Sequence, residues 1–280
     1  MRLIKCLLTE NDCYQMGQHI TPKGVMIHST GANNPTLKRY VQPLEGSTDH
    51  DGLIALLGYN RNGNDWNRPG TNACVHAFIG KLADGSVASV QTLPWNMRGW
   101  HAGNGTTRPS ANNTHISFEI CEDDLTDRDY FTQVYQEAVE LTAYLCGLYG
   151  LDPLEEETVV CHSEGYRLGM ASGHADVEHW FPRFGKTMDD FRADVKTEME
   201  DAEMTQEKFD EMMENYLSRR ALEKPSDWSK ESRDWAQQAG LIKGVGDLDG
   251  DGQADFSYKS FCTGEELVVI LDRMEHRDSV

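Results

Sequence analysis

From Val160 to Trp180 the chain reads V-C-H-S-E-G-Y-R-L-G-M-A-S-G-H-A-D-V-E-H-W, which places His162, His174 and His179 among Glu164, Asp176 and Glu178. Imidazole and carboxylate are ligands of a catalytic zinc, which takes three protein donors and keeps a fourth position for water. The glycines disfavour one continuous helix, so the segment is expected to be a site-forming loop and not a core element.

Two further stretches point at the same chemistry. G-V-M-I-H at 24–28 is an apolar run that ends on His28 before the turn formers S-T-G-A-N-N-P, and T-V-V-C-H at 158–162 repeats the device. Each reads as a buried strand handing an imidazole to a loop at its C-terminal edge, where sites on α/β sheets lie. His28 and His162, with one of His174, Asp176 or His179, would complete a three-ligand set. H-I-S-F-E-I-C at 115–121 alternates, with Ile116, Phe118 and Ile120 on one face and Glu119 on the other. A carboxylate there could orient or deprotonate a metal-bound water. The plainer readings are a hydrogen-bonded structural histidine at each strand end and a glutamate facing solvent.

Several elements must position these groups. Residues 73–93 alternate around Asp84-Gly85 and read as a β-hairpin. Tyr130, Val134, Ala138, Leu141 and Leu145 have helical spacing over about 129–149, with Gly150 as a C-terminal cap. Phe191, Val195, Met199 and Ala202 form a stripe on a further helix from Met188. Residues 189–216 carry 11 acidic and 3 basic side chains, so this region reads as a largely solvated connector, broken near Thr205. His76, His101, Trp100 and Trp180 fall in or beside the intervening loops as substrate-groove candidates, although His76 also suits packing in the hairpin.

Composition narrows the partners. The 280 residues carry a net charge of −20, from 26 basic and 46 acidic side chains, which argues against nucleic acid or an anionic membrane as partner. Seven cysteines, widely spaced and without a C-x-x-C pair, argue for free thiols and synthesis in a reducing compartment. The apolar start M-R-L-I-K-C-L-L is too short and interrupted for a signal peptide, and no run is long enough to span a membrane. The expectation is a protein made in the cytoplasm without a signal peptide, which would need lysis or a separate pore to act outside.

Five blocks in order carry a resemblance: I-H-S-T-G at 27–31, V-H-A-F-I at 75–79, G-W-H-A-G at 99–103, N-T-H-I-S-F-E-I at 113–120, and C-H-S-E-G at 161–165 followed by A-S-G-H-A-D-V-E-H-W. Over about residues 20–200 the chain resembles the zinc-dependent N-acetylmuramoyl-L-alanine amidases, the family of type 2 amidases, phage lysozyme-type amidases and peptidoglycan recognition proteins. The resemblance implies an α/β fold, a mixed central β-sheet flanked by helices, with zinc in a groove on one face. It implies His28 and His162 as ligands, Asp176 as the third with His179 as the alternative, and Glu119 and His174 as catalytic residues. Two departures stand out: Val177 replaces the family's proline, and the interval from His162 to Asp176 is longer than usual. The implied reaction is hydrolysis of the amide between N-acetylmuramic acid and L-alanine in bacterial peptidoglycan, as in a phage or prophage endolysin acting on the wall after release. The alternatives are a non-catalytic peptidoglycan-binding protein and a zinc peptidase cutting within the stem peptide.

The expected division is a catalytic domain at 1–200, an acidic helical linker at 201–220 and a small helical module at 221–280. W-A-Q-Q-A-G-L-I-K-G and T-G-E-E-L-V-V-I-L-D-R-M are similar to a surface-layer-homology repeat, which implies wall binding or oligomerisation through this region. Between them, D-L-D-G-D-G-Q-A-D opens like a calcium loop, with Asp247, Asp249, Asp251 and Asp255 as candidate Ca²⁺ ligands and Tyr258 where a glutamate is expected.

Overall fold

Six strands form one mixed sheet in a computed structural model of the chain that describes residues 1–202, 206–244 and 264–275. Contacts divide the chain into two units, 1–202 and 203–280. In the first, the elements run β1 (Leu3–Lys5), α1 (Asp12–Met16), β2 (Gly24–Ser29), α2 (His50–Leu57), β3 (Ala77–Lys81), β4 (Val87–Gln91), β5 (His115–Ile120), α3 (Arg128–Tyr149), β6 (Val159–Cys161), α4 (His162–Arg167) and α5 (Met188–Ala202). The second holds α6 (Gln206–Leu222), α7 (Lys230–Gln238) and α8 (Gly264–Glu275).

The strand order is β1-β4-β3-β5-β2-β6, and every neighbouring pair is parallel except the β3–β4 hairpin. That hairpin turns where the sequence says: Leu82 N–H donates to Ser86 O (2.8 Å), and Gly85 takes the left-handed φ of 86° that its place in the turn requires. The central strands are short apolar runs because both of their faces are covered. Alternation then gives the faces different work. Val25 and Ile27 of β2, Ile116, Phe118 and Ile120 of β5, and Val159 and Cys161 of β6 share one buried cluster with α3. The opposite face carries Met26, His28, Ser117 and Glu119.

α3 is the long lever of this core. Asp127 caps its start by accepting the Tyr130 N–H (3.0 Å), and Gly150 ends it in the left-handed conformation at φ 64°. Its buried stripe includes Tyr130, Val134, Ala138, Leu141 and Leu145, as the spacing predicts. α5 differs from expectation. Phe191 and Val195 are fully buried in the α3 cluster, so this helix is a core element with an acidic outer face. α5 is helical from Met188 to Ala202, and α6 is helical from Gln206. β1 was not foreseen; three residues on the hydrogen-bonded edge of β4 are too few to show a period.

In the second unit, α7 ends at Gly240 (φ 68°), and Leu241 and Ala236 are buried there. Arg273 of α8 donates to Leu241 O at 2.9 Å. Asp247, Asp249, Asp251 and Asp255 lie outside the described residues. Cys6, Cys13, Cys74, Cys121, Cys146 and Cys161 are buried free thiols. No helix among the described residues is long and apolar enough to cross a membrane.

Candidate active site

The site lies at the C-terminal ends of β2, β5 and β6. β2 and β5 pair so that His28 stands directly beside Glu119, both on the face away from α3. β6 ends at Cys161, and α4 starts on His162 itself. The expected loop is therefore partly helical. Glu164 makes this possible: it accepts the Cys161 N–H (3.1 Å) and is held by both terminal nitrogens of Arg192 (3.1 Å each).

Asp176 is fixed from both sides. Its carbonyl accepts the Ser163 N–H (3.2 Å), and Val177 and Trp180 after it are fully buried in the α3 core. Arg167 adds a two-pronged bond to Glu178, 2.8 Å on each arm. Val177, where the family has proline, thus anchors the segment by burial.

Three donor atoms converge. His28 Nδ1 lies 3.0 Å from His162 Nδ1 and 3.2 Å from Asp176 Oδ2, and His162 Nδ1 lies 3.6 Å from the same oxygen. A tetrahedral ion with bonds of about 2.0–2.1 Å needs donor edges of roughly 3.3 Å, and these three straddle that value. The residues fit a zinc ion by donor type, number and spacing. Burial pushes the His162 imidazole down to about 4, which keeps it neutral as a ligand must be. Burial alone would raise Asp176, but its contact with His28 and the electrostatic influence of the His28 and His162 rings hold it below the ordinary carboxylate range.

Glu119 behaves in the opposite way. Burial first, then the charges of Asp176 and Glu122, push its carboxyl well above the usual range. Its Oε2 is buried with no hydrogen-bond partner, a costly arrangement.

His28 and His162 each have a second imidazole behind them. His162 Nε2 lies 3.2 Å from Nδ1 of the exposed His174, with Ser172 Oγ 3.2 Å from the same nitrogen. His28 Nε2 lies 3.1 Å from His101 Nδ1. Ser172 and Asn112, which holds the His101 backbone, carried no signal in the sequence, since neither belongs to a periodic element or a ligand pattern.

Three expectations need correction. His76 is not in a groove: it is fully buried, accepts the Ser117 N–H at Nδ1 (3.0 Å) and donates from Nε2 to Met97 O (2.7 Å). Trp180 is not in a groove either, because it packs edge-on to Phe131 with no exposed surface. His179 is not part of the three-donor group; its Nε2 lies 2.9 Å from the buried Glu122, and the group contains Asp176 instead. Trp100 is partly exposed, with Arg98 over its ring at 5.4 Å. Cys161, Glu164 and Glu178 also cluster, but Arg192 and Arg167 occupy the two carboxylates.

The family model for N-acetylmuramoyl-L-alanine amidase matches residues 18–182, and the chain belongs to that family. It is accordingly an enzyme that hydrolyses the muramoyl–alanine amide of peptidoglycan. Among solved structures it is similar to the Staphylococcus aureus hydrolase AmiA in complex with its ligand, at 18% identity and TM-score 0.48 over 71% of this chain and 83% of that one. It is also similar to the catalytic domain of XlyA, at 21% and 0.44 over 70% and 99%, and to a mutant endolysin from Bacillus subtilis, at 22% and 0.44 over 70% and 99%. A comparison with curated proteins finds no match. The family assignment rests on the family model.

Proposed function

We propose that His28, His162 and Asp176 hold a catalytic zinc, that Glu119 moves the proton and that His174 receives the developing oxyanion. The observation that carries this is the triangle of donor atoms with the unpartnered Glu119 carboxylate on the strand beside it. When bound, zinc supplies a Lewis acid and a water acidic enough to attack near neutral pH. Glu119 takes the proton of the attacking water and returns it to the amine of the leaving L-alanine; its raised proton affinity suits a residue that must do both.

His174 follows from tautomer logic. With Nδ1 of His162 committed as a ligand, its Nε2 carries the proton and donates to His174 Nδ1. The proton of neutral His174 is then on Nε2, the edge available to a substrate oxygen, and one such donor contributes about 3 kcal/mol in comparable sites. The partly exposed Trp100 is the remaining aromatic candidate for the substrate groove.

We further propose that residues 1–200 are the catalytic domain and 221–280 a wall-binding module joined by the acidic stretch at 201–220, and that the enzyme is made in the cytoplasm as an endolysin and reaches the wall on release. The exposed Trp228 and the burial of Ala236 and Leu241 support a small recognition module. Mass spectrometry of digested peptidoglycan, with metal analysis of the purified protein, tests the central reading. Stem peptides with a free N-terminal alanine and about one zinc per chain are expected; cleavage inside the stem peptide would replace it.

A further inference from the structure

Both ligand imidazoles are backed by another imidazole, but the two backing residues differ. His174 is exposed and has an edge for substrate. His101 is half-buried: its Nδ1 lies 3.1 Å from His28 Nε2, and its Nε2 is buried without a hydrogen-bond partner. Its ring stands edge-on to His28, centroids 5.2 Å apart at 72°, the geometry in which one imidazole N–H points at its neighbour's lone pair.

The frame around His101 is rigid. The buried Asn112 accepts the backbone N–H groups of His101 (2.8 Å) and Ala102 (2.9 Å) and donates from Nδ2 to Gly103 O (2.8 Å). Trp100 and Cys74 exchange backbone hydrogen bonds of 3.0 and 3.1 Å. Behind the loop stands the fixed ring of His76, 6.3 Å from His101 between centroids. Gly99 closes the packing: a Cβ there would lie 2.8 Å from Cys74 O and 3.4 Å from both His76 and His101. A groove residue needs no such support. A residue that must hold another in place does.

We infer that His101 is a positioning residue for the metal site: its Nδ1 accepts the Nε2–H of His28, which fixes the ring and the tautomer that present Nδ1 of His28 to the ion. This rests on the zinc reading above. Outer partners that orient a ligand imidazole typically change metal affinity by about 10–100-fold when removed.

The test measures zinc affinity without turnover. Wild-type protein, His101→Ala and His101→Asn are stripped of metal and titrated with zinc against a chromophoric chelator, and the thermal midpoint of each metal-free protein is recorded. The dissociation constant of His101→Ala should rise about 10–100-fold, and His101→Asn, whose amide oxygen can accept the same N–H, should recover most of it. Wild-type affinity in His101→Ala overturns the inference, as does an Asn variant that stays as weak as Ala while its metal-free midpoint matches wild type. Should His101→Ala not fold, nitrogen-15 NMR of zinc-loaded wild type decides: His28 protonated at Nε2 supports the assignment, and protonation at Nδ1 refutes it. Failure of wild type itself to take up zinc overturns the metal reading beneath, and that result is distinct from the others.

Discussion

The two faces of β2 and β5 are built from alternate residues of the same six-residue strands, yet one is a core and the other a site. On the α3 side every inward side chain of β5 is apolar and fully buried. On the other, Ser117, Glu119 and His28 stand in line. What separates the faces is the treatment of polar atoms more than burial itself. His76 and His115 are buried with both ring nitrogens hydrogen-bonded, which is the ordinary condition for burial. Glu119 and His101 each keep an atom without a partner. Trp180 Nε1 and His179 Nδ1 are unpartnered too, so what sets Glu119 apart is the missing partner together with its place on the strand beside His28.

Neighbouring substitutions on one strand should therefore break different properties. Glu119→Gln keeps the shape and removes the proposed proton carrier, so turnover of soluble muropeptide should fall about 10²–10⁴-fold, with zinc content and thermal midpoint close to wild type. Near-normal turnover would remove Glu119 from the chemistry. Phe118→Ala, one residue away and on the opposite face, should cost about 3–5 kcal/mol of stability in denaturant titrations while leaving the rate per folded molecule nearly unchanged at low temperature. A large rate loss in a well-folded Phe118→Ala protein would mean the faces are not independent.

The satisfied histidines make a subtler prediction. Burial lowers His76 from 6.5 to about 4, so the folded state binds its proton less readily than the unfolded chain does. Between those values the unfolded state holds more protons, and stability must fall as the pH falls. His76 contributes fully above pH 6.5, and by pH 5 roughly 2 kcal/mol of that is gone. Urea titrations of metal-free protein at pH 7 and pH 5 should show the loss, and His76→Gln should flatten it. An unchanged slope would assign the acid sensitivity to other groups, His115 foremost, since burial lowers it too.

These contrasts explain what the sequence made legible. His28 and His162 could be found because apolar runs end on them, and Glu119 because a six-residue strand shows its period. α3 was legible from five apolar residues at helical spacing and a glycine stop. Composition misled where tertiary contacts decide: α5 looked like a solvated connector because its acidic residues outnumber the three that bury, and Val177 and Trp180 looked like loop because their core partners are on α3. α4 was hidden by Gly165 and the glycines that follow it, and its cap from Glu164 depends on Arg192, which lies in a different element. The choice between Asp176 and His179 came from resemblance alone, since three residues of spacing cannot say which side chain turns inward.

That choice carries the smallest expected effect and the sharpest contrast. His179 contacts Glu122, whose side chain is almost wholly buried, so removing the imidazole would leave a carboxylate facing the interior alone. His179→Gln can still donate to Glu122 Oε1, and the expected loss is about 1 kcal/mol of stability with zinc content unchanged. Asp176→Asn keeps the size but weakens a ligand whose charge is held in place by two imidazoles, so its zinc content should fall well below that of His179→Gln. Atomic absorption on the two variants, purified side by side, measures the difference. If His179→Gln loses the metal and Asp176→Asn keeps it, the third ligand moves by three residues, and the tetrahedral fit of the present triangle is coincidence.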